Sequence, residues 1–520
     1  MPKPLSLTGR RTSGLLLHPS SLPGAHGSGD LGPAAAAFVG FLAAGGQKWW
    51  QMLPVGPPGA APGFSPYSSY SAFAGSAFLI SLELLAGDGL LSAKEIAAPA
   101  SVRRGSASLQ EVFDFRESRL RLAYQRFSES ADAKLVTELE DFVREHGGWL
   151  DDFALFSAIK NHHDGKSWTQ WPVDLRLRRP AALRAASEKL ADEVRYHRFV
   201  QLLFDRQWRG LRALCAERGI GLIGDIPIFV ALDSADVWAN PHLFLLDRQG
   251  RPTVVSGCPP DAFSSDGQLW GHPHYDWAEH RRENFAWWTR RFQSMLYRFD
   301  AVRIDHFLGF HRVWAVPARA KTAKAGDWLA GPREEIFRAV NKVIGKVPVI
   351  AEDLGAVTRE AEALRDKFKY PGMRVMQFGF GDGGSFHLPH NYPRRSVAYT
   401  GTHDNDTAVG WFRSLPSTNG RGAKRAGGSG GGERAKAIRY LDLRDLKQVH
   451  WSMIRAAMLS PADTVIFPVQ DVLGLGGEAR MNVPGVAERN WTWRFRNGAL
   501  TNELARRLKE LADLSDRTGS

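Results

Sequence analysis

Eight short stretches of this 520-residue chain are apolar or β-branched almost from end to end, and each is bounded by Gly, Pro or polar residues. They are "GLLLHPS" (14–20), "KWWQMLPV" (48–55), "GLIGDIPI" (221–228), "FDAVRIDHF" (299–307), "VPVIAEDLG" (347–355), "RVMQFGF" (374–380), "SVAYTGTHDND" (396–406) and "TVIFPVQDVLG" (464–474). Continuous apolar runs of this kind are what parallel strands buried on both faces look like. Most successive pairs are separated by an amphipathic helical stretch, and such alternation confines a chain to parallel α/β architectures. Eight units predict a closed (β/α)8 barrel of the TIM type, with residues 1–520 as one barrel domain carrying insertions.

The regularity breaks once, between the second and third runs, where residues 56–220 are far more than a crossover needs. Leu135, Leu139, Phe142 and Val143 mark one face of a helix there, and 182–219 holds helical periodicity up to Gly219. A largely helical subdomain is expected at 84–200, inserted after the second barrel strand. A Gly-rich segment at 418–432 reads as a flexible loop.

Composition narrows the class. Lys and Arg exceed Asp and Glu by 67 to 55, giving +12, but the densest basic clusters, 175–184 and 420–436, hold no aromatic residue on which a base would stack. They read as solvated surface, with no nucleic acid partner. The two cysteines, Cys215 and Cys258, are too few for a disulfide framework and fit a reducing compartment. The N-terminus lacks a signal-peptide core, and the longest apolar run, 33–44, is too short to span a bilayer. The expectation is a cytoplasmic protein without a membrane partner, monomeric or weakly homo-oligomeric.

Four of the eight runs finish on an acid: Asp225, Asp305, Glu352 and Asp404. A lone acid after a strand is often the N-cap of the next helix. Four of them in a closed parallel barrel would instead converge at the C-terminal mouth. Strand alternation also puts Arg303 on the same face as Asp305, where an adjacent cation keeps a carboxylate charged. Glu352 follows apolar residues, an environment that raises a carboxyl pKa and suits a general acid. One carboxylate held ionised and one held protonated is what glycosidic bond cleavage needs, with Asp305 as nucleophile and Glu352 as acid. Asp404, beside His403, suits a grip on sugar hydroxyls.

Two segments rich in Gly, Ser and aromatic residues, "SPYSSYSAF" (65–73) and "DAFSSDGQLWGHPHYDW" (261–277), offer flat surfaces for pyranose rings, with Tyr67, Asp261 and Trp270 as candidate contacts. Any single aromatic there also has a plain core-packing reading. Rival chemistries fare worse. "GSGDLG" (27–32) matches a dinucleotide fingerprint, yet "HPSSLPGAH" separates it from the first strand and the next strand ends without a ribose-binding acid. His272, His274 and His280, and His403 before Asp404, raise the possibility of a metal, but metal barrels of that kind need His at several strand ends, where this chain has mostly Asp and Glu. There is no P-loop, and no G-x-S-x-G elbow follows any of the eight apolar runs. A non-catalytic sugar-binding protein would have no need for an acid, a nucleophile and an arginine together. No cofactor and no metal are expected.

The motifs "SPYSSYSAFAG", "GDIPIFVALDSADVW", "GCPPDAFSSDGQLWG", "VRIDHFLGF", "VIAEDLG", "GTHDND" and "QDVLGLGGEARMNVPG" occur in an order, from about Ser13 to Arg494, that resembles the 4-α-glucanotransferases, the amylomaltase or disproportionating-enzyme family of the α-amylase superfamily. The resemblance implies a retaining enzyme that cuts an α-1,4-glucan, keeps the donor segment as a covalent ester and passes it to the 4-hydroxyl of another glucan or of glucose. It implies Asp305 as nucleophile, Glu352 as acid/base and Asp404 as the third acid, with Arg303, His403 and Asp225 at the accompanying positions. Tyr67 then belongs to the donor-side loop and Trp270 to the loop covering the groove. Maltodextrin, starch and glycogen are the candidate donors, and an α-glucan hydrolase using the same acids is the alternative.

The chain departs from the family pattern at Ser76 and Ala77, at His272 and at Phe64, all loop positions that leave the acids untouched. Retention predicts a separation of about 5–5.5 Å between the Asp305 and Glu352 carboxyls.

Overall fold

The computed structural model describes residues 6–59, 63–105, 107–130, 132–260, 265–355, 358–416, 430–486 and 489–518. All eight expected strands form: Thr12–Leu16, Trp49–Gln51, Gly221–Ile226, Ala301–Ile304, Val349–Ala351, Gly372–Val375, Ser396–Tyr399 and Thr464–Pro468. Each pairs in parallel with its predecessor in this series, and the eighth returns to the first with Thr12 opposite Thr464, closing the barrel. A (β/α)8 barrel is therefore the architecture.

Period-two alternation divides the strand residues between two cores. Leu16, Trp49, Ile223, Ala301, Ile350, Met373, Val397, Tyr399 and Ile466 fill the barrel interior. Their neighbours Leu15, Trp50, Leu222, Val302, Val349, Ala398 and Val465 face the helices. Gly14 lets the second strand lie close against the first, since an added Cβ there would lie 2.3 Å from the Trp49 carbonyl oxygen. The same alternation continued towards the strand ends puts Asp225, Arg303 and the residues at 305 and 352 on the inward side.

The crossover helices include Pro33–Ala44, Ala191–Glu217, Ala286–Arg298, Glu334–Ile344, Arg359–Lys367, Val449–Leu459 and Asn502–Leu514. The sixth strand departs from the expected unit. Residues 374–380 were expected to extend as a strand, but the strand stops at Val375, and three 3-10 turns follow, Met376–Gly379, Ser385–His387 and Pro389–Asn391, with no α-helix before the seventh strand. The glycines at 379, 381, 383 and 384 and the prolines at 389 and 393 account for this, since neither residue sustains a helix interior.

Between the second and third strands the chain is helical, with Leu109–Ser130 and Ala133–His162 as the long members. The helix Ala191–Glu217 runs without a break past residue 200 and packs on the barrel, where Trp208 Nε1 donates a 3.1 Å hydrogen bond to the Arg298 carbonyl. The stretch at 256–277, read from sequence as loop, contains strand. Gln268–Pro273, Val254–Cys258, Arg312–Pro317 and Asp327–Ala330 form, in that spatial order, a four-stranded antiparallel sheet beside the barrel mouth. Of the Gly-rich segment at 418–432, residues 418–429 lie outside the described residues and 430–432 open the helix Gly430–Tyr440 rather than a loop.

The C-terminal segment closes the opposite end of the barrel. Arg517, fully buried, donates to the carbonyls of Thr12, Met458, Ser460, Ala462 and Asp463 at 2.7–3.1 Å. Among the described residues no helix is long and apolar enough to cross a membrane.

Candidate active site

Three adjacent barrel strands build the centre. The register pairs Asp225 with Arg303 across the third and fourth strands, and Ile304 with Ala351 across the fourth and fifth. Asp305 and Glu352 are thus the next residues on two neighbouring parallel strands, which lie about 4.8 Å apart. The Asp305 amide donates to the Ile226 carbonyl at 2.9 Å and the Glu352 amide to the Ile304 carbonyl at 3.1 Å, so the ladder continues through both acids. None of the four sequence-predicted acids caps a helix: the elements that follow are capped by Ser234, His306, Thr358 and Thr407.

Arg303 is buried and divides its guanidinium between two acids. One nitrogen reaches both Asp225 oxygens at 2.9 and 2.7 Å, and the other reaches Asp305 Oδ1 at 2.8 Å. Burial alone would lower the arginine's pKa, but Asp225 and Asp305 together carry it well above the ordinary value. Asp225 is buried as well, which pushes its carboxyl up against the pull of Arg303. Tyr67 completes that acid's partners with a 2.7 Å hydrogen bond from its hydroxyl to Oδ2. Burial first and Asp225 second raise the phenol, so Tyr67 remains a neutral donor.

Glu352 sits in a different environment. Its oxygens accept 2.8 Å hydrogen bonds from the amides of His306 and Leu354. Burial nevertheless pushes it up to about 7, with Arg303 opposing and Asp305 reinforcing the shift. His306 aims its amide at Glu352 from a left-handed backbone conformation, φ 55°. Its ring, kept neutral by burial, meets Trp270 edge-on with centroids 4.9 Å apart. Trp270 thereby brings the antiparallel sheet over the acid. The next residue, Asp353, is fixed by Arg365 and by the Met373 amide at 2.7 Å, which anchors the loop behind Glu352.

Asp404 follows the seventh strand. Asn482 Nδ2 donates to its Oδ1 at 2.6 Å, His403 Nε2 lies 3.3 Å from the same oxygen, and Arg480 holds the Asp404 carbonyl at 2.5 Å. The Tyr67 ring stacks on His403 with centroids 5.1 Å apart. Tyr67 therefore bridges the two halves of the site, bonded to Asp225 on one side and stacked beside Asp404 on the other. Trp491 flanks it, 5.8 Å from the Tyr67 ring.

Asp225, Arg303, Asp305, Glu352, His403, Asp404, Tyr67 and Trp270 accordingly form one connected network at the barrel's C-terminal mouth. Asp261 lies outside the described residues. Arg480, Asn482 and Trp491 were not singled out from the sequence, although the motif "QDVLGLGGEARMNVPG" contains the first two. His274 and His280 lie in the core, His280 packed edge-on against Tyr275 at 5.3 Å. Among the described residues no group of three or more His, Cys, Asp or Glu side chains is placed to hold a metal ion. The arrangement provides a carboxylate held beside a cation and a second carboxyl protonated near neutrality, the pairing that acid-assisted displacement at an acetal carbon requires.

A family profile described as 4-alpha-glucanotransferase matches residues 17–501. The chain is 45% identical over 515 residues to the 4-alpha-glucanotransferase of Thermus thermophilus, covering 98% of this chain and 99% of that one. It is 43% identical to the enzyme of the same name from Synechocystis sp., with 98% of each chain covered. Among solved structures it resembles the amylomaltase of Streptococcus agalactiae in complex with acarbose, at 36% identity and a TM-score of 0.90 over 98% of this chain and 100% of that chain.

Proposed function

The chain belongs to the 4-alpha-glucanotransferase family, and we propose that it performs this transfer by double displacement with its own strand-end acids. An Asp305 oxygen attacks C1 of an α-1,4-linked glucose unit. The C1–O bond to the leaving sugar breaks as Glu352 gives its proton to the departing 4-oxygen. The donor segment then rests as an ester on Asp305. An acceptor 4-hydroxyl returns a proton to Glu352, attacks C1, and releases the Asp305 carboxylate with net retention. Asp404 holds hydroxyls of the sugar being transferred, and Arg303 hydrogen-bonds the Asp305 carboxylate at 2.8 Å, fixing the oxygen that attacks.

The observation that carries this reading is the register pair Ile304 and Ala351, which makes Asp305 and Glu352 neighbours while their surroundings differ, one beside Arg303 and the other pushed up to about 7 by burial. The donor is an α-1,4-glucan such as maltodextrin, starch or glycogen, and the acceptor is glucose or a maltooligosaccharide. The acarbose held by the Streptococcus agalactiae amylomaltase supports a ligand of this class. Transfer needs the ester to outlast attack by water. Trp270 with its sheet, and the 64–73 segment carrying Tyr67, are the parts we assign to keeping water out. We further propose a cytoplasmic enzyme, monomeric or weakly associating; its two cysteines support a reducing compartment.

Incubation with maltotriose tests the reading. A ladder of longer and shorter oligomers is expected from the wild type, and Asp305→Asn should lose nearly all turnover while still binding glucan. Glucose and maltose alone would mean hydrolysis, and a fully active Asp305→Asn would remove the nucleophile from the scheme.

A further inference from the structure

The second residue of the motif "QDVLGLGGEARMNVPG" is an acid that the mechanism above does not use. Asp471 lies in the short helix Val469–Val472 directly after the eighth barrel strand and is 1% exposed. Its Oδ2 accepts a 2.6 Å hydrogen bond from Thr400 Oγ1, and its Oδ1 accepts a 2.7 Å hydrogen bond from the Ala408 amide. Thr400 is the first residue beyond the seventh strand, and Ala408 is the first residue of the helix Ala408–Ser414. One carboxylate therefore fastens both ends of the excursion 400–408, and Asp404 stands at its midpoint.

The middle of the excursion is tied to the same downstream segment. Arg480 and Asn482 hold the carbonyl and carboxylate of Asp404, and the Asn482 amide donates to the His403 carbonyl at 3.1 Å. Within the excursion, Asn405 Oδ1 accepts from both the amide and the hydroxyl of Thr402 at 2.9 Å. The loop is thus internally stiff, Gln377 Nε2 holds the Asp406 carbonyl at 2.8 Å, and the attachments at its two ends converge on Asp471.

We propose that Asp471 is a positioning residue for the transfer reaction, fixing through Thr400 and Ala408 where the Asp404 carboxylate stands at the barrel mouth. The inference rests on the role assigned to Asp404 above. Loss of the two bonds lets the excursion shift as a body, and a displacement of about 1 Å at a group acting on the transition state costs turnover of about 10²-fold.

The test is a double-mutant cycle on kcat and KM with maltotriose. Asp471→Ala is expected to lower kcat about 30-fold or more with KM changed less than about threefold, and Thr400→Val, which removes one of the two bonds, about fivefold. Thr400→Ser, which keeps the hydroxyl, should recover most of what Thr400→Val loses. Combined with Asp404→Asn, either Asp471→Ala or Thr400→Val should add less than about threefold to the loss from Asp404→Asn alone, because the effects act through one group. If Asp471→Ala does not fold, the Thr400→Val cycle decides. Multiplicative losses in the double variant, or a lowered Tm with kcat intact, overturn the proposal while leaving Asp404 in its role. An Asp404→Asn variant with normal kcat overturns both.

Discussion

Asp305 and Glu352 stand one step beyond facing residues of two adjacent parallel strands, Ile304 and Ala351, and the amide of His306 ties the backbone beside the first to the carboxylate of the second at 2.8 Å. Side chains so placed point into the same mouth from neighbouring strands. A crystal structure should find their carboxyls about 5–5.5 Å apart, and proton NMR of the transfer products should show every new linkage as α. A gap above about 7 Å with β linkages in the products would mean inversion, with the acceptor occupying the space between them.

Glu352 must carry a proton to release the leaving sugar, and burial holds its pKa at about 7 against an ordinary value of 4.5. kcat/KM for maltotriose is therefore expected to fall as pH rises through about 7. Linkage gives the matching stability effect. Between 4.5 and about 7 the folded state binds more protons than the unfolded state, so this group's contribution to stability is greatest below 4.5 and declines as pH rises through that window. Glu352→Gln has no such titration. Its Tm relative to wild type should improve between pH 5 and pH 8 by the equivalent of about 1–3 kcal/mol, while turnover drops about 10²–10⁴-fold. A Tm difference independent of pH would show that Glu352 titrates normally.

The inward placement of these acids was legible because a barrel strand is covered on both faces and its period is two. "VRID" could bury Val302 and Ile304 among the helices only by turning Arg303 and Asp305 inward. The antiparallel sheet was not legible. Gln268–Pro273 mixes Gln268, Gly271, His272 and Pro273 with two apolar residues, and its partner Val254–Cys258 runs straight into Pro259 and Pro260, so in amino-acid order neither reads as an apolar run or an apolar–polar alternation. The sixth unit misled in the opposite way, because "RVMQFGF" has strand composition but its second half turns into a 3-10 helix ahead of a Gly-rich stretch. Arg480, Asn482 and Trp491 act through long-range approach of a polar segment to Asp404 and Tyr67. Trp491 does so from a left-handed backbone, φ 64°, that composition does not reveal.

Tyr67 contributes two separable interactions, a hydrogen bond to Asp225 and a ring face against His403. Tyr67→Phe removes the first and keeps the second. Asp225 would retain Arg303 but lose a donor in a buried setting, a loss of about 1–2 kcal/mol, which predicts about a tenfold lower kcat/KM. Tyr67→Ala removes both and should cost roughly tenfold more, since ring contacts add about 0.5–1.5 kcal/mol beyond buried area. Steady-state kinetics of the two variants check this, and equal losses would mean that the ring face contributes nothing to the site.

At the far end of the barrel, Arg517 donates to five carbonyls contributed by the first strand, the last turn of the helix Val449–Leu459 and the connection from that helix to the eighth strand. Those carbonyls line the seam where the barrel closes, and among the described residues no carboxylate hydrogen-bonds the guanidinium there. Burial lowers the arginine to about 9, with Arg11 adding repulsion and Asp463 opposing it. The charge is nonetheless retained at neutral pH, because the carbonyl dipoles converge on it. Arg517→Ala would take one donor from each carbonyl, leaving Arg11 on Met458 and Ser460 and the Thr12 amide on Asp463, at about 1–3 kcal/mol for each acceptor that neither these nor water reaches, whereas Arg517→Lys would satisfy at most three. The expected order of Tm is wild type above Lys above Ala, with kcat on maltotriose unchanged well below each Tm because the acids sit at the opposite mouth. Because Arg517's folded pKa lies below that of an ordinary arginine, above about 9 the unfolded state binds more protons than the folded state, so raising the pH from 7 through about 9 should widen the gap between wild type and Arg517→Ala. Thermal melts at pH 7 and pH 10 measure that widening, and a gap that is small at pH 7 would show that the seam is held by the strand ladder alone.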